Sequence, residues 1–181
     1  MRSITESVQN FLILEGIKFE RMSQIGALKI GFAGENGIFL GFIKVNENRR
    51  IIEIDTFSPV RAPSNKRLQT AELLMRVNNK LVLGGFNVDM DSGMITYSTS
   101  IILGKSILHN DILEHLLFAN WIAMDKFFPA ITMVVFNNVL PKKAVRLIRR
   151  QSQSISDDQE ENKPVRRFNG RLGDISGGSL N

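Results

Sequence analysis

His109 and His115 are the only two histidines of the chain, and six positions separate them. On a helix that spacing turns through about 600° and leaves the rings on different faces. A ligand pair would take a spacing of three or four, so these read as surface or cap histidines. Asp89-Met90-Asp91-Ser92-Gly93 has the opening of a calcium loop. Such a loop needs a third oxygen ligand and a glutamate at position twelve, where this chain has Ser100. A hairpin turn is the reading that remains. Gly31, Gly34 and Gly37 match neither a dinucleotide fingerprint nor a phosphate loop, and they precede a strand rather than a helix. They read as turn and bend glycines. Glu53 and Asp55 share one strand face and could pose as a carboxylate pair for general acid–base work, but solvated strand residues have the same pattern. There is no G-x-S-x-G elbow and no cysteine, which excludes thiol chemistry and zinc–cysteine sites. No nucleophile, base or metal set assembles. The expectation is a binding domain without a cofactor, not an enzyme.

The net charge of +5 is concentrated. Residues 1–140 hold 14 Lys+Arg against 13 Asp+Glu, and 151–181 hold four against five. Pro141 to Arg150 carries Lys142, Lys143, Arg146, Arg149 and Arg150 with no acid. An anionic membrane surface, a nucleic acid or an acidic protein could meet such a segment. It could equally be a helix end whose cations complement the helix dipole. No stacking aromatics lie nearby, which argues against single-stranded nucleic acid.

The elements that would position these residues follow from periodicity. Ser3 and Glu6 form a capping box for a helix over 3–15, with Ile4, Val8, Phe11 and Leu12 on one face and Gly16 as its stop. Strands are expected at 18–22, 28–32, 38–45 and 50–57, with Gly34-Glu35-Asn36-Gly37 as a hairpin turn. A helix is expected from Ser64 or Asn65 to about Leu81, its stripe made of Leu68, Ala71, Leu74, Met75 and Leu81, widened by Leu73 and Val77. Phe86–Met90 and Met94–Leu103 form a second hairpin. Asn110 or Asp111 caps a helix from Ile112 to Phe128 that is apolar almost all round and must be covered on more than one side. Pro129 is expected to kink or restart it. An amphipathic basic helix opens at Pro141. Hairpin-linked strands with separate helices define an α+β fold, an antiparallel sheet packed against helices, in the order α-β-β-β-β-α-β-β-α with the basic helix at the end.

Residues 1–150 are expected to form one domain. Residues 151–181, rich in Ser, Gln, Asn, Asp, Glu and Gly, are expected to be a disordered tail, with Val165 to Ile175 as a candidate docking peptide. The stretch from Leu116 to Leu140 is interrupted by Asp125, Lys126 and Pro129 and does not read as a membrane span. The N-terminus lacks the apolar core of a secretory signal, and a cytoplasmic location is expected.

Leu74-Met75-Arg76-Val77-Asn78-Asn79-Lys80-Leu81-Val82-Leu83-Gly84-Gly85-Phe86 resembles the YbjN-like family, in which a helix ends in an Asn-containing turn and a Leu-Gly-x-Phe entry leads into a hairpin. Ala119, Asp125, Phe127, Phe128, Pro129 and Ala130 resemble the family's Asp-x-Phe/Tyr-x-Pro-Ala ending. The match covers roughly residues 4–136. The resemblance implies a fold like that of type III secretion chaperones, often dimeric, and carries over no catalytic residue. The expected function is a protein-binding adaptor or chaperone-like regulator. Its candidate contact residues are Phe118, Trp121 and Ile122 on the apolar helix, with Lys142, Lys143, Arg146, Arg149 and Arg150 on the basic one. A homodimer would be another way to cover the apolar helix.

Overall fold

The computed structural model describes residues 3–148. The expected tail, with Arg149 and Arg150, lies outside the described residues.

The capping box forms as read. Ser3 Oγ accepts from the Glu6 amide at 3.1 Å, and the Glu6 carboxylate accepts from the Ser3 amide at 3.0 Å. Helix α1 then runs over Ile4–Leu14 and buries Ile4, Val8, Phe11 and Leu12. The first four amides of a helix have no intrahelical partner unless a cap supplies one. Glu47, from a distant turn, takes the amides of Ile4 (3.1 Å) and Thr5 (2.8 Å) and the Thr5 hydroxyl (2.7 Å). Burial raises the Glu47 carboxyl, but the hydrogen bonds from Thr5 and Ile4, with Arg50 nearby, outweigh it and hold the carboxyl below its ordinary value.

Six strands follow: β1 (Phe19–Met22), β2 (Ala27–Ala33), β3 (Ile38–Asn46), β4 (Ile51–Phe57), β5 (Gly85–Val88) and β6 (Ile95–Ile102). They form one antiparallel sheet in the order β1-β2-β3-β4-β6-β5. Alternation places Leu28, Ile30, Phe39, Ile43, Ile52, Ile54 and Tyr97 in the core beneath the helices. The opposite face carries Ile38 and Leu40 exposed, an edge-on Phe42–Phe57 pair at 5.6 Å, and a Lys44–Asp55 ion pair at 3.1 Å.

The helix expected from residue 64 to 81 is shorter and rotated. A 3-10 turn, Ser64–Lys66, precedes α2, Arg67–Asn78. It buries Thr70, Leu73, Leu74 and Val77, while Leu68 and Met75 are exposed. Positions 70, 73, 74 and 77 make the narrower stripe, in which the buried Thr70 hydroxyl has no hydrogen-bond partner among the described residues. Asn78 ends the helix. Its side chain donates to the Phe86 carbonyl at 2.9 Å and accepts from the Phe86 amide at 2.8 Å, imitating a strand partner for β5.

Helix α3 runs unbroken over Asn110–Val135 with Pro129 inside it, so no restart occurs. Proline cannot donate to the carbonyl four residues earlier, which is that of Asp125. That carbonyl accepts instead from Asn36 Nδ2 at 3.1 Å. The Asp125 carboxylate accepts from the amides of Glu35 (3.1 Å) and Asn36 (2.8 Å). Asp125 and Pro129 thereby lock the β2–β3 turn to α3. Gly34 is required there because a Cβ would lie 2.2 Å from Asp125 Oδ1. Helix α3 packs on β4, β6, α1 and α2, so most of its apolar girth is covered within one chain. Residues 141–148 form a further helical segment, α4, with Ala144 and Ile148 buried.

Candidate functional site

The residues first singled out for chemistry hold structural posts. His109 occupies the N-cap position of α3 without a side-chain cap bond, and His115 Nδ1 meets the Asp111 carbonyl one turn back. Among the described residues no group of three or more metal-ligating side chains assembles. Asp89 accepts from the amides of Ser92 and Asp91, and the Ser92 amide above all holds its carboxyl below the ordinary value. This is an Asx turn. Glu53 is exposed, and Asp55 is engaged by Lys44 and by the Ser98 hydroxyl at 2.7 Å.

A cavity of about 570 Å³ opens between α2, α3, α4 and β6. Val77 of α2 and Tyr97 of β6 form part of its wall. Ala119, Ile122, Ala123 and Lys126 line it from α3 at the i, i+3, i+4, i+7 spacing of one helix face. The 80–83 loop and Val145 and Ile148 of α4 close the sides. The Tyr97 hydroxyl donates to the Leu83 carbonyl and pins the loop, and burial pushes its phenol above the ordinary pKa. Gly84 turns the loop at φ +72°, where a Cβ would lie 2.5 Å from the Ser98 carbonyl. The loop therefore presents apolar side chains outward: Val82 is 104% exposed, and Ile122 across the cavity is 51% exposed.

The rim is cationic. Lys80 and Lys126 line the cavity. A second depression of about 260 Å³ shares Lys80 and Val145 with it and adds Arg76, Lys142 and Arg146. Arg76 is paired with Glu72 at 2.7 Å. Among the described residues, no lining side chain of either depression is acidic. An apolar floor beneath a rim of one sign suits a ligand with apolar groups beside negative charge.

The expected contact residues divide. Ile122 lines the cavity, and Lys142 and Arg146 line the adjoining depression. Lys143 is exposed but lines neither. Phe118 is half-buried against Trp121. Trp121 is 4% exposed and stacks on Phe32 at 4.8 Å, so it is core. The stacking brings Trp121 of α3 onto Phe32 of β2, which the helix sequence does not reveal. Arg149 and Arg150 lie outside the described residues. Sequence reasoning missed Lys80, Val82, Leu83 and Lys126. The available signal was the apolar run Leu81-Val82-Leu83 placed against Gly84-Gly85, which belongs to a loop and not to the helix.

The YbjN family profile, described as "putative bacterial sensory transduction regulator", matches residues 6–133. The chain belongs to the YbjN family. The crystal structure of YbjN from E. coli, titled as a "putative transcription regulator", superposes with a TM-score of 0.53 at 13% identity, over 73% of this chain and 88% of that one. That likeness is one of fold: an α+β domain built on an antiparallel sheet. No curated protein matches the sequence. Among the described residues no helix is long and apolar enough to cross a membrane. The YbjN match ends before α4, so Lys142, Val145, Arg146 and Ile148, which build one wall of the site, lie beyond it.

Proposed function

We propose that this chain is a non-enzymatic regulator of the cytoplasm that captures a protein segment bearing apolar side chains next to acidic ones. The cavity between α3, α4 and the 80–83 loop carries this reading, because its floor is apolar and the charged side chains lining its rim are basic. The family description as a regulator supports it. The mode is chaperone-like: an extended segment held by side-chain anchors, as the resemblance to type III secretion chaperones implies. The basic side chains set orientation and association rate more than affinity.

Panning a random peptide library on the full chain tests the proposal. Enriched sequences should combine Leu, Ile or Phe with flanking Asp or Glu, and Ile122→Asp combined with Lys126→Glu should abolish their capture. Both side chains are exposed, so the variant should stay folded. Peptides without that pattern, or equal capture by the variant, would refute the reading. Binding only to anionic vesicles or nucleic acid, lost at high salt, would move the function to the basic surface of α4.

A further inference from the structure

We infer that the cavity's first ligand is the chain's own segment Ile155 to Glu161. This rests on the reading of the cavity as a site for acidic, apolar segments and adds a regulation to it. Three observations carry the inference. Ile148, the last described residue, itself lines the cavity, so the remaining 33 residues start from its wall. Ile155 follows seven positions later, and an extended chain reaches about 23–25 Å over that distance, enough to fold back across a site that Ile148 already touches. The segment Ile155-Ser156-Asp157-Asp158-Gln159-Glu160-Glu161 then places one apolar anchor beside four acids. That is the complement of an apolar floor rimmed by Lys80, Lys126, Lys142 and Arg146. These four acids are the densest negative run of the sequence, while the rim and α4 are its densest positive region.

Tethering makes a weak match effective. A short flexible connection holds a ligand at an effective concentration of the order of 1 mM. A segment of about 100 μM intrinsic affinity would then fill the cavity about nine-tenths of the time. An external segment would bind about tenfold more weakly than to the vacant site. The tail thus sets a threshold that a partner must exceed, and neutralising its acids removes the threshold.

The test uses the full chain. A fluorescein-labelled peptide of residues 153–163 is titrated by anisotropy into the wild type and into the full-length variant Asp157→Asn, Asp158→Asn, Glu160→Gln, Glu161→Gln. The variant should bind it about tenfold more tightly, and Ile122→Asp should remove binding in both. The chain has no cysteine, so a spin label at Ser156→Cys is unique. It should broaden the amide signals of Val82, Ala123 and Lys126 but not those of Lys29 or Glu53. A label at Ser179→Cys should broaden none of these selectively. Equal peptide affinity for wild type and variant, with no selective broadening, would overturn the inference while peptide binding at Ile122 leaves the proposed function standing. Failure of the peptide to bind either chain, with no broadening, would overturn both.

Discussion

Replacing Gly34 by alanine brings a methyl group to 2.2 Å from Asp125 Oδ1 and 2.4 Å from its Cγ. The carboxylate must leave, and it takes with it the hydrogen bonds from the Glu35 and Asn36 amides. Hydrogen bonds to a charged acceptor contribute about 1.5–3 kcal/mol each when sheltered. These lie at the surface, so about 2 kcal/mol for the pair is the working figure. Residual crowding against the Asp125 Cβ at 3.0 Å adds about 1 kcal/mol. Gly34→Ala should therefore cost about 3 kcal/mol, Asp125→Ala about 2 kcal/mol, and the double variant only about 3 kcal/mol, because the carboxylate is already gone and only the crowding at the retained Cβ is added. For a chain of this size each kcal/mol lowers Tm by about 2–4 °C, so Gly34→Ala should melt about 6–12 °C lower. Urea titration of the four proteins closes the cycle, with Cm shifting and m unchanged. A double variant that loses the full sum of about 5 kcal/mol would show that Gly34 and Asp125 act independently, and the proposed joint between the β2–β3 turn and α3 would be wrong.

Glu47→Gln should weaken the chain at neutral pH by loosening the start of α1. The folded carboxyl lies below its ordinary value near 4.5, so its contribution is complete above that value and is lost as pH falls through the lower folded one. The stability gap between wild type and variant, followed by denaturant melts from pH 7 to pH 3, should close on the acid side; a gap independent of pH would refute the role. Asn120 is buried and donates to the Ile54 carbonyl (2.6 Å) and the Thr99 hydroxyl (3.2 Å), while its own Oδ1 meets no protein donor. Asn120→Asp should therefore destabilise more than Asn120→Ala at pH 7, since it sets a carboxylate against a carbonyl, and should recover as the acid is protonated; thermal melts at pH 7 and pH 4 read both. Tyr97→Phe removes the bond to Leu83 and should cost about 1 kcal/mol, with faster hydrogen exchange confined to the 80–84 loop; unchanged exchange there would exclude Tyr97 as the pin of the cavity lip.

Periodicity reports local structure well, and here it had strong local causes to report. The capping box of Ser3 and Glu6, the alternation through β3, β4 and β6, and the turns at 34–37 and 91–93 all depend on neighbours within a few residues. The stripe of α2 was harder to place. Leu68 and Met75 look as apolar as Leu73 and Leu74, and only the sheet beneath selects which of them is buried. The cation run of α4 was legible as charge, but its relation to Lys80 and Lys126 was not.

The amino-acid sequence by itself determined the α+β class and the element order, because capping, alternation and turn preference are set by adjacent residues. The tertiary structure alone decided the rest. It turned Trp121 into a core residue, gave the Asp125 carbonyl freed by Pro129 to Asn36, and gathered α3, α4 and an exposed loop around one cavity. Those outcomes depend on contacts between residues tens of positions apart, and no local pattern encodes which distant surface a side chain will meet.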